Sequence, residues 1–396
     1  MKKLSILIMG FLFVLSCSAQ KTEIKTAEQG NSIFAFSLYD QIQNSKENVF
    51  FSPFSISASL SMTYAGSAGA TEAEMKDVMS YKSNTDGFHK EFKSILENFK
   101  KKGEDNVKIN VAQSVWAQKD YNYETDFLVS LRANYLSPVQ KTDFVDAKNR
   151  VESLKKINDW AAEKTNKKIN NLLPKDALSD ATRLVLVSAI HFKGSWETPF
   201  KKASSKQLDF KTINKKTVKV SFMQGMAKVN LYENEIVQVA EIPYKGDATM
   251  IIFLPKKEDG FSDLQKQFTY DNYSIWTSNF TKSSVSLIIP KFKIENSFDL
   301  EKPLKKMGMK TAFGKKADFS KMTGDQSLFI SKIVHKAYIE IDEDGTEAAA
   351  ATAVVMDRKS AMNELPTAFR ADHPFIFIIK ENTTNTILFV GHYVQP

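Results

Sequence analysis

Cysteine is almost absent. Cys17 is the only one in 396 residues, so no intramolecular disulfide can form, and the body of the chain offers no thiol nucleophile. Stability must therefore come from packing. Histidine is sparse and scattered: His89, His191, His335, His373 and His392 form no H-E-x-x-H and no paired metal spacing. No G-x-S-x-G occurs, and the nearest string, Gly66-Ser67-Ala68-Gly69, lacks the strand-turn-helix context of a nucleophile elbow. Neither G-x-G-x-x-G nor G-x-x-x-x-G-K-[ST] is present, so nucleotide binding has no support. Each histidine is read as structural, with no metal or cofactor expected, and the chain is not read as an enzyme. Internal repeats and low-complexity linkers are missing too, and composition does not break after residue 29.

What remains is a chain with 42% hydrophobic residues, enough for one large core or two ordinary ones. Leu4 to Leu15 is mostly apolar but too short to span a bilayer as a helix, and with Lys2 and Lys3 before it reads as a secretion signal. Val14-Leu15-Ser16-Cys17 resembles a bacterial lipobox, which implies a leader over 1–16, lipidation of Cys17 and a polar tether over 17–28. Cleavage after Ala19 by ordinary signal peptidase is the alternative. The expected location is the cell envelope through that anchor, or the exterior without it. Formal charge is +8, or +6 once Lys2 and Lys3 leave. Lys100-Lys101-Lys102, Lys155-Lys156, Lys201-Lys202 and Lys215-Lys216 are interspersed with acids and form no aromatic-basic stripe, so they read as solvated surface and no nucleic-acid partner is expected.

The opening third is helix-rich. Phe34, Leu38 and Ile42 recur every fourth residue, Ser52-Pro53 gives a cap and first-turn proline before Ile56, Leu60 and Tyr64, and Thr71-x-x-Glu74 has the form of a capping box. Val107, Ile109 and Val111 alternate as in a strand, and Leu184–Val187 reads as a strand covered on both faces. Between them 157–173 has a helical pattern. Residues 237–254 and 285–294, then Phe375–Ile379 and Ile387–Val390 around a turn at Glu381–Asn385, add strands without a strict βαβ rhythm. A single α+β domain on large antiparallel sheets follows.

Residues 343–360 do not fit a core pattern. Ala348 to Ala351 favour helix, yet Thr352, Val354 and Val355 favour strand. As a strand, Thr346, Ala348, Ala350, Thr352, Val354 and Met356 share one small or apolar face, while Glu347 and Asp357 fall on the other. Glu340, Asp342, Asp344 and Gly345 imitate the start of a calcium loop, but its twelfth position is Ala351, where a bidentate Glu is required. These acids read instead as the end of a strand through Tyr338, Ile339 and Ile341, leading into a hinge at Gly345.

Several strings in order resemble the serpin family over nearly all of 29–396. They are Asn48-Val49-Phe50-Phe51-Ser52-Pro53-Phe54-Ser55-Ile56, Asn166-Lys167-Lys168-Ile169, Phe192-Lys193-Gly194-Ser195-Trp196-Glu197, Ile341-Asp342-Glu343-Asp344-Gly345-Thr346-Glu347-Ala348 and Phe369-Arg370-Ala371-Asp372-His373-Pro374-Phe375, with Gly391-His392-Tyr393 near the end. The resemblance implies an α+β fold with three antiparallel or mixed sheets, about eight or nine helices and an exposed reactive-centre loop at about 343–365. It implies a monomeric suicide inhibitor of serine proteases: the target cleaves the loop, the freed part inserts into the main sheet, and the acyl-enzyme is trapped. A non-inhibitory binding or scaffold lipoprotein that keeps the fold is the alternative.

The implied hinge is Glu343, Gly345, Thr346, Glu347, Ala348, Ala349, Ala350 and Ala351, in which Thr346 and the four alanines are small as inhibitory members require. By loop length the scissile bond falls at Lys359-Ser360, with Arg358-Lys359 as the close alternative; either suits a trypsin-like partner, whereas Met356 would suit an elastase-like or chymotrypsin-like one. Ser52, Ser55 and His335 match the family's polar cluster that controls sheet opening, Trp196 the place where the loop inserts, and Glu343 with Lys291 a pair bracing the sheet top. Two residues depart: Ser188 stands where that cluster usually has Asn, and Lys167 replaces a frequent Gly. A hydroxyl offers one donor where an amide offers two, which loosens the cluster.

Overall fold

The computed structural model describes residues 26–81, 85–101, 107–135, 139–346 and 366–396. Helix α1 (Ala27–Ile42) begins where the Thr26 hydroxyl accepts from the Gln29 N–H, and it buries Phe34 and Leu38. Strand β1 (Val49–Phe51) leads into α2 (Pro53–Tyr64), capped by Ser52 with Pro53 in the first turn. All of α2 is buried, because its hydroxyls turn back to backbone acceptors: Ser61 donates to the Ser57 carbonyl at 2.6 Å and Thr63 to that of Leu60 at 2.8 Å. Helix α3 (Gly69–Val78) starts two residues before Thr71, so the expected capping box is instead a tertiary clamp. The Thr71 hydroxyl accepts from the Asp318 N–H, and Glu74 accepts from the N–H groups of Lys310 and Thr311, both at 2.7 Å.

Next come α4 (Thr85–Lys101), β2 (Val107–Gln118), α5 (Thr125–Tyr135), β3 (Gln140–Thr142), α6 (Ala147–Lys164) and β4 (Leu184–Ser195). The helix expected over 157–173 stops at Lys164: the Thr165 hydroxyl takes the Ile169 N–H, and Asn166, Lys167 and Asn171 adopt left-handed φ of 51°, 61° and 53°. The left-handed Lys167 accounts for the usual glycine there, since a Cβ costs roughly 1–2 kcal/mol in that conformation. The remaining strands are β5 (Lys206–Lys211), β6 (Thr217–Glu233), β7 (Val237–Pro243), β8 (Ala248–Pro255), β9 (Thr281–Pro290), β10 (Phe292–Asp299), β11 (Lys332–Ile341), β12 (Gly345–Thr346), β13 (Thr367–Arg370), β14 (Phe375–Glu381) and β15 (Ile387–Tyr393). Helices α7 (Phe261–Gln267), α8 (Tyr270–Ser278), α9 (Glu301–Met307) and α10 (Ser320–Thr323) complete the described elements, with short 3-10 turns at Lys202–Ser204 and Thr311–Phe313.

Two hydrogen-bonded networks result. A nine-stranded one runs β1-β15-β14-β8-β7-β6-β9-β13 with β5 beside β6, and a six-stranded one runs β10-β11-β12-β4-β2-β3. The three sheets implied by the resemblance become two networks because β6 is 17 residues long: residues 217–222 pair with β5, 222–231 with β9 and 230–233 with β7. The stretch 285–294 divides at Lys291 and serves both networks, β9 in the larger and β10 in the smaller. Strand β4 separates two cores. Leu184, Leu186, Ile190 and Phe192 face the main one, while Val185, Val187 and Ala189 face a smaller one under α6 with Ile169, Leu172 and Val334. That explains its continuous apolar run, since each face of the strand has its own cover.

Candidate functional site: a strand seam and the turn at its mouth

The six-stranded sheet contains a seam that is closed at one end and parted at the other. Strands β11 and β4 pair directly, in parallel, from Lys332 opposite Val185 to Ala337 opposite Ile190. Further along, Thr346 lies between them, antiparallel to both, opposite Ile341 on one side and Gly194 on the other. The register is continuous. Ile341 and Gly194 each stand nine residues beyond the Lys332–Val185 pair, so a strand entering here asks β4 and β11 to separate sideways by one strand spacing, about 4.8 Å, without sliding.

The hinge follows from local sequence. Asp342 closes a tight turn: its Oδ1 accepts from the N–H groups of Asp344 at 2.9 Å and Gly345 at 3.2 Å. Gly345 has φ of +146°, and a Cβ built there would lie 2.0 Å from the Gly194 carbonyl oxygen, so glycine is required for the chain to turn back against β4. Trp196 holds the turn with both nitrogens, its N–H donating to the Asp344 carbonyl at 3.0 Å and its indole Nε1–H to that of Asp342 at 2.9 Å. Glu343 is buried and meets Lys291 at 3.0 Å, while the Ser205 hydroxyl donates to it at 2.6 Å. Burial alone would raise its carboxyl, but the Ser205 and Lys291 contacts outweigh this and hold it below the ordinary range. Outside the turn, Lys202 pairs with Asp344 at 2.9 Å.

At the closed end lies a fully buried polar cluster. The Ser52 backbone N–H donates to His335 Nε2 at 2.9 Å, so Nε2 is unprotonated; Nδ1 therefore carries the proton and donates to Ser188 Oγ at 2.8 Å. These bonds tie α2 to β11 and β11 to β4 across the seam. Ser55 sits in the same place with its N–H on Ser52 Oγ, and among the described residues its own hydroxyl has no hydrogen-bond partner.

Burial depresses His335 to about 3 and His392 to about 4, from an ordinary 6.5. Above pH 6.5 both states are neutral and the stability is fully present; below it the unfolded chain takes up protons that the fold refuses until near pH 3 and 4. Each histidine should thus cost roughly 2–3 kcal/mol by pH 4.5. The thermal midpoint is expected to fall steadily between pH 6.5 and 4.5, and a flat midpoint across that window would contradict the two neutral assignments.

Of the residues singled out from sequence, Glu343, Gly345, Thr346, Trp196 and Lys291 gather at the parted end, and Ser52, Ser55, Ser188 and His335 at the closed end. Cys17, Glu347, Ala348, Ala349, Ala350, Ala351, Met356, Arg358, Lys359 and Ser360 lie outside the described residues. Sequence reasoning missed Tyr244, which stacks on Trp196 with centroids 4.5 Å apart and whose hydroxyl is 2.6 Å from that of Thr346. Its partner lies 102 residues away, so no local pattern marks it; the one available signal was a tyrosine ending the alternation of β7.

The seam between β4 and β11 is thus occupied at one end by Gly345 and Thr346, paired on both sides. The family model for Serpin (serine protease inhibitor) matches residues 29–396. Human Serpin B4 is 38% identical, with 94% of this chain and 100% of that protein covered, and the leukocyte elastase inhibitor of Sus scrofa is 37% identical, covering 92% and 98%. The solved structure of Serpin48, a highly specific serpin of the insect Tenebrio molitor, superposes with a TM-score of 0.84 at 30% identity over 93% of this chain and 98% of that one. The chain belongs to the serpin family, a family of serine protease inhibitors.

Proposed function

We propose that this serpin traps trypsin-like serine proteases as a suicide substrate, and that it does so from the cell envelope, exported and lipidated at Cys17. The observation that carries the reading is the pairing of Thr346 on both sides at the mouth of the seam. Insertion has a starting register, and the sequence beyond it is small: Ala348 to Ala351, then Thr352 and Ala353. Continued in the same register, Thr352 would come opposite Ser188 and His335, the residues that close the sheet in the intact protein. A strand over 346–359 would reach about 45 Å at ~3.3 Å per residue, enough to carry a protease acylated at Lys359 to the far end of the sheet. Kinetic trapping supplies the drive, since the initial sheet lacks a strand it can accommodate.

Trypsin incubated with the full chain should give a complex that survives boiling in SDS. Cleavage without complex would sink the inhibitor reading and move the chain to the binding or scaffold class. Mass spectrometry of the released C-terminal fragment is expected to begin at Ser360, or at Lys359 for the alternative bond; a fragment beginning at Asp357 would mean that Met356 directs an elastase-like target. Radiolabelled palmitate should enter the wild-type protein in bacteria and be absent from Cys17→Ser.

A further inference from the structure

The Tyr244 ring is fixed before the hinge reaches it. Its backbone N–H donates to the Ala248 carbonyl at 3.0 Å, the next residue's N–H donates to that of Ser195 at 2.7 Å, and Tyr244 bridges to Trp196. The ring stacks on Trp196 and meets the edge of Phe192 at 5.0 Å. It lies flat against β4 because residue 194 is glycine: a Cβ there would come within 3.0 Å of both Tyr244 and Phe192. Only the hydroxyl is left to find a partner, and it finds the hydroxyl of Thr346 at 2.6 Å, with both residues about 1% exposed. Burial pushes the phenol far up, so it remains a neutral donor at any working pH.

We infer that Tyr244 is a positioning residue of the reactive loop: its buried hydroxyl holds Thr346 inside the seam and draws the loop's first residues away from an approaching protease. The inference rests on the inhibitor reading and adds a rate control to it. Withdrawal of the hinge would leave the Tyr244 hydroxyl without a partner in an aromatic cage, which biases the two-state hinge toward insertion. A protease that needs the whole loop presented meets only the withdrawn fraction, and its apparent association slows by that fraction. The same bond selects a hydroxyl at 346. Alanine would fit the space but strand the phenol; serine or threonine satisfies it.

The test is a double-mutant cycle in the full chain with Tyr244→Phe, Thr346→Val and both together, read as the association rate constant with trypsin and as the stoichiometry of inhibition. Tyr244→Phe keeps the stack and removes one oxygen; it should speed association about threefold to tenfold with unchanged stoichiometry. The double variant should fall short of the product of the single effects. A rate within twofold of wild type for Tyr244→Phe, or effects that simply multiply, would overturn the inference. Amide hydrogen exchange at Gly345 and Thr346 reports the hinge without any protease. Exchange accelerated in Tyr244→Phe with no inhibition in any variant would preserve the positioning role while sinking the inhibitor reading, and unaltered exchange would sink the positioning role itself.

Discussion

Thr346→Arg should turn this inhibitor into a substrate. The side chain of residue 346 points into the main core, between Ile341 and Gly194 and against Tyr244, in a space that is 1% exposed. Its side-chain partner there is the Tyr244 hydroxyl at 2.6 Å. Glu343, the buried carboxylate of the hinge, is already engaged by Lys291 and Ser205. Burying an unpaired guanidinium costs several kcal/mol, and every 1.4 kcal/mol on the insertion barrier is tenfold in rate, so insertion should slow by about a hundredfold or more. Deacylation by the protease is not slowed, because its chemistry lies at the scissile bond, so the race between trapping and turnover reverses. Trypsin should cleave the variant at an undiminished rate and leave no SDS-stable complex, with many molecules consumed per protease. Thr346→Ser, which keeps the hydroxyl, should remain an inhibitor. Full trapping by the arginine variant would mean that trapping does not require residue 346 to stay buried in the sheet.

Cleavage of the loop should raise the melting temperature by about 10 °C or more. In the intact chain β4 and β11 are joined by one parallel ladder over Lys332–Ala337 and Val185–Ile190, and by the polar bonds of His335. An inserted strand replaces that ladder by two antiparallel ones, the more stable arrangement per residue, and buries the face carrying Ala348, Ala350, Thr352 and Val354. A gain on the order of 10 kcal/mol would move the midpoint by about 13 °C in a chain of this size. Limited proteolysis within the loop, followed by calorimetry of intact and cleaved forms, measures it. Equal midpoints would show that the cleaved loop stays outside the sheet and would remove the basis for trapping.

Where periodicity was strong, the fold was legible. Ser52-Pro53 marked the start of α2, and the doubly covered run at Leu184–Val187 became the strand that divides the two cores. Local pattern failed where a side chain's partner was distant. Thr71 and Glu74 have the spacing of a capping box but satisfy the backbone of residues 310–318, and the helical pattern over 157–173 ended at Lys164 because Ile169 and Leu172 were needed against the sheet. The site divided in the same way. Family motifs pointed to Glu343, Lys291, Ser52, His335 and Trp196, but the tautomer of His335 and the Tyr244–Thr346 bond are properties of atoms brought together from remote strands.

The sequence by itself determined the reliance on packing without disulfides, the small residues of the hinge, the basic residues at the expected scissile bond and the family, because each of these is a matter of residue type and order. Tertiary structure alone decided how far the hinge has gone into the sheet. That depends on a balance between one more residue of strand pairing, the fit of Gly345 against β4 and the demand of a buried phenol for a partner, and none of those three exists until β4, β11 and the Tyr244 hairpin meet.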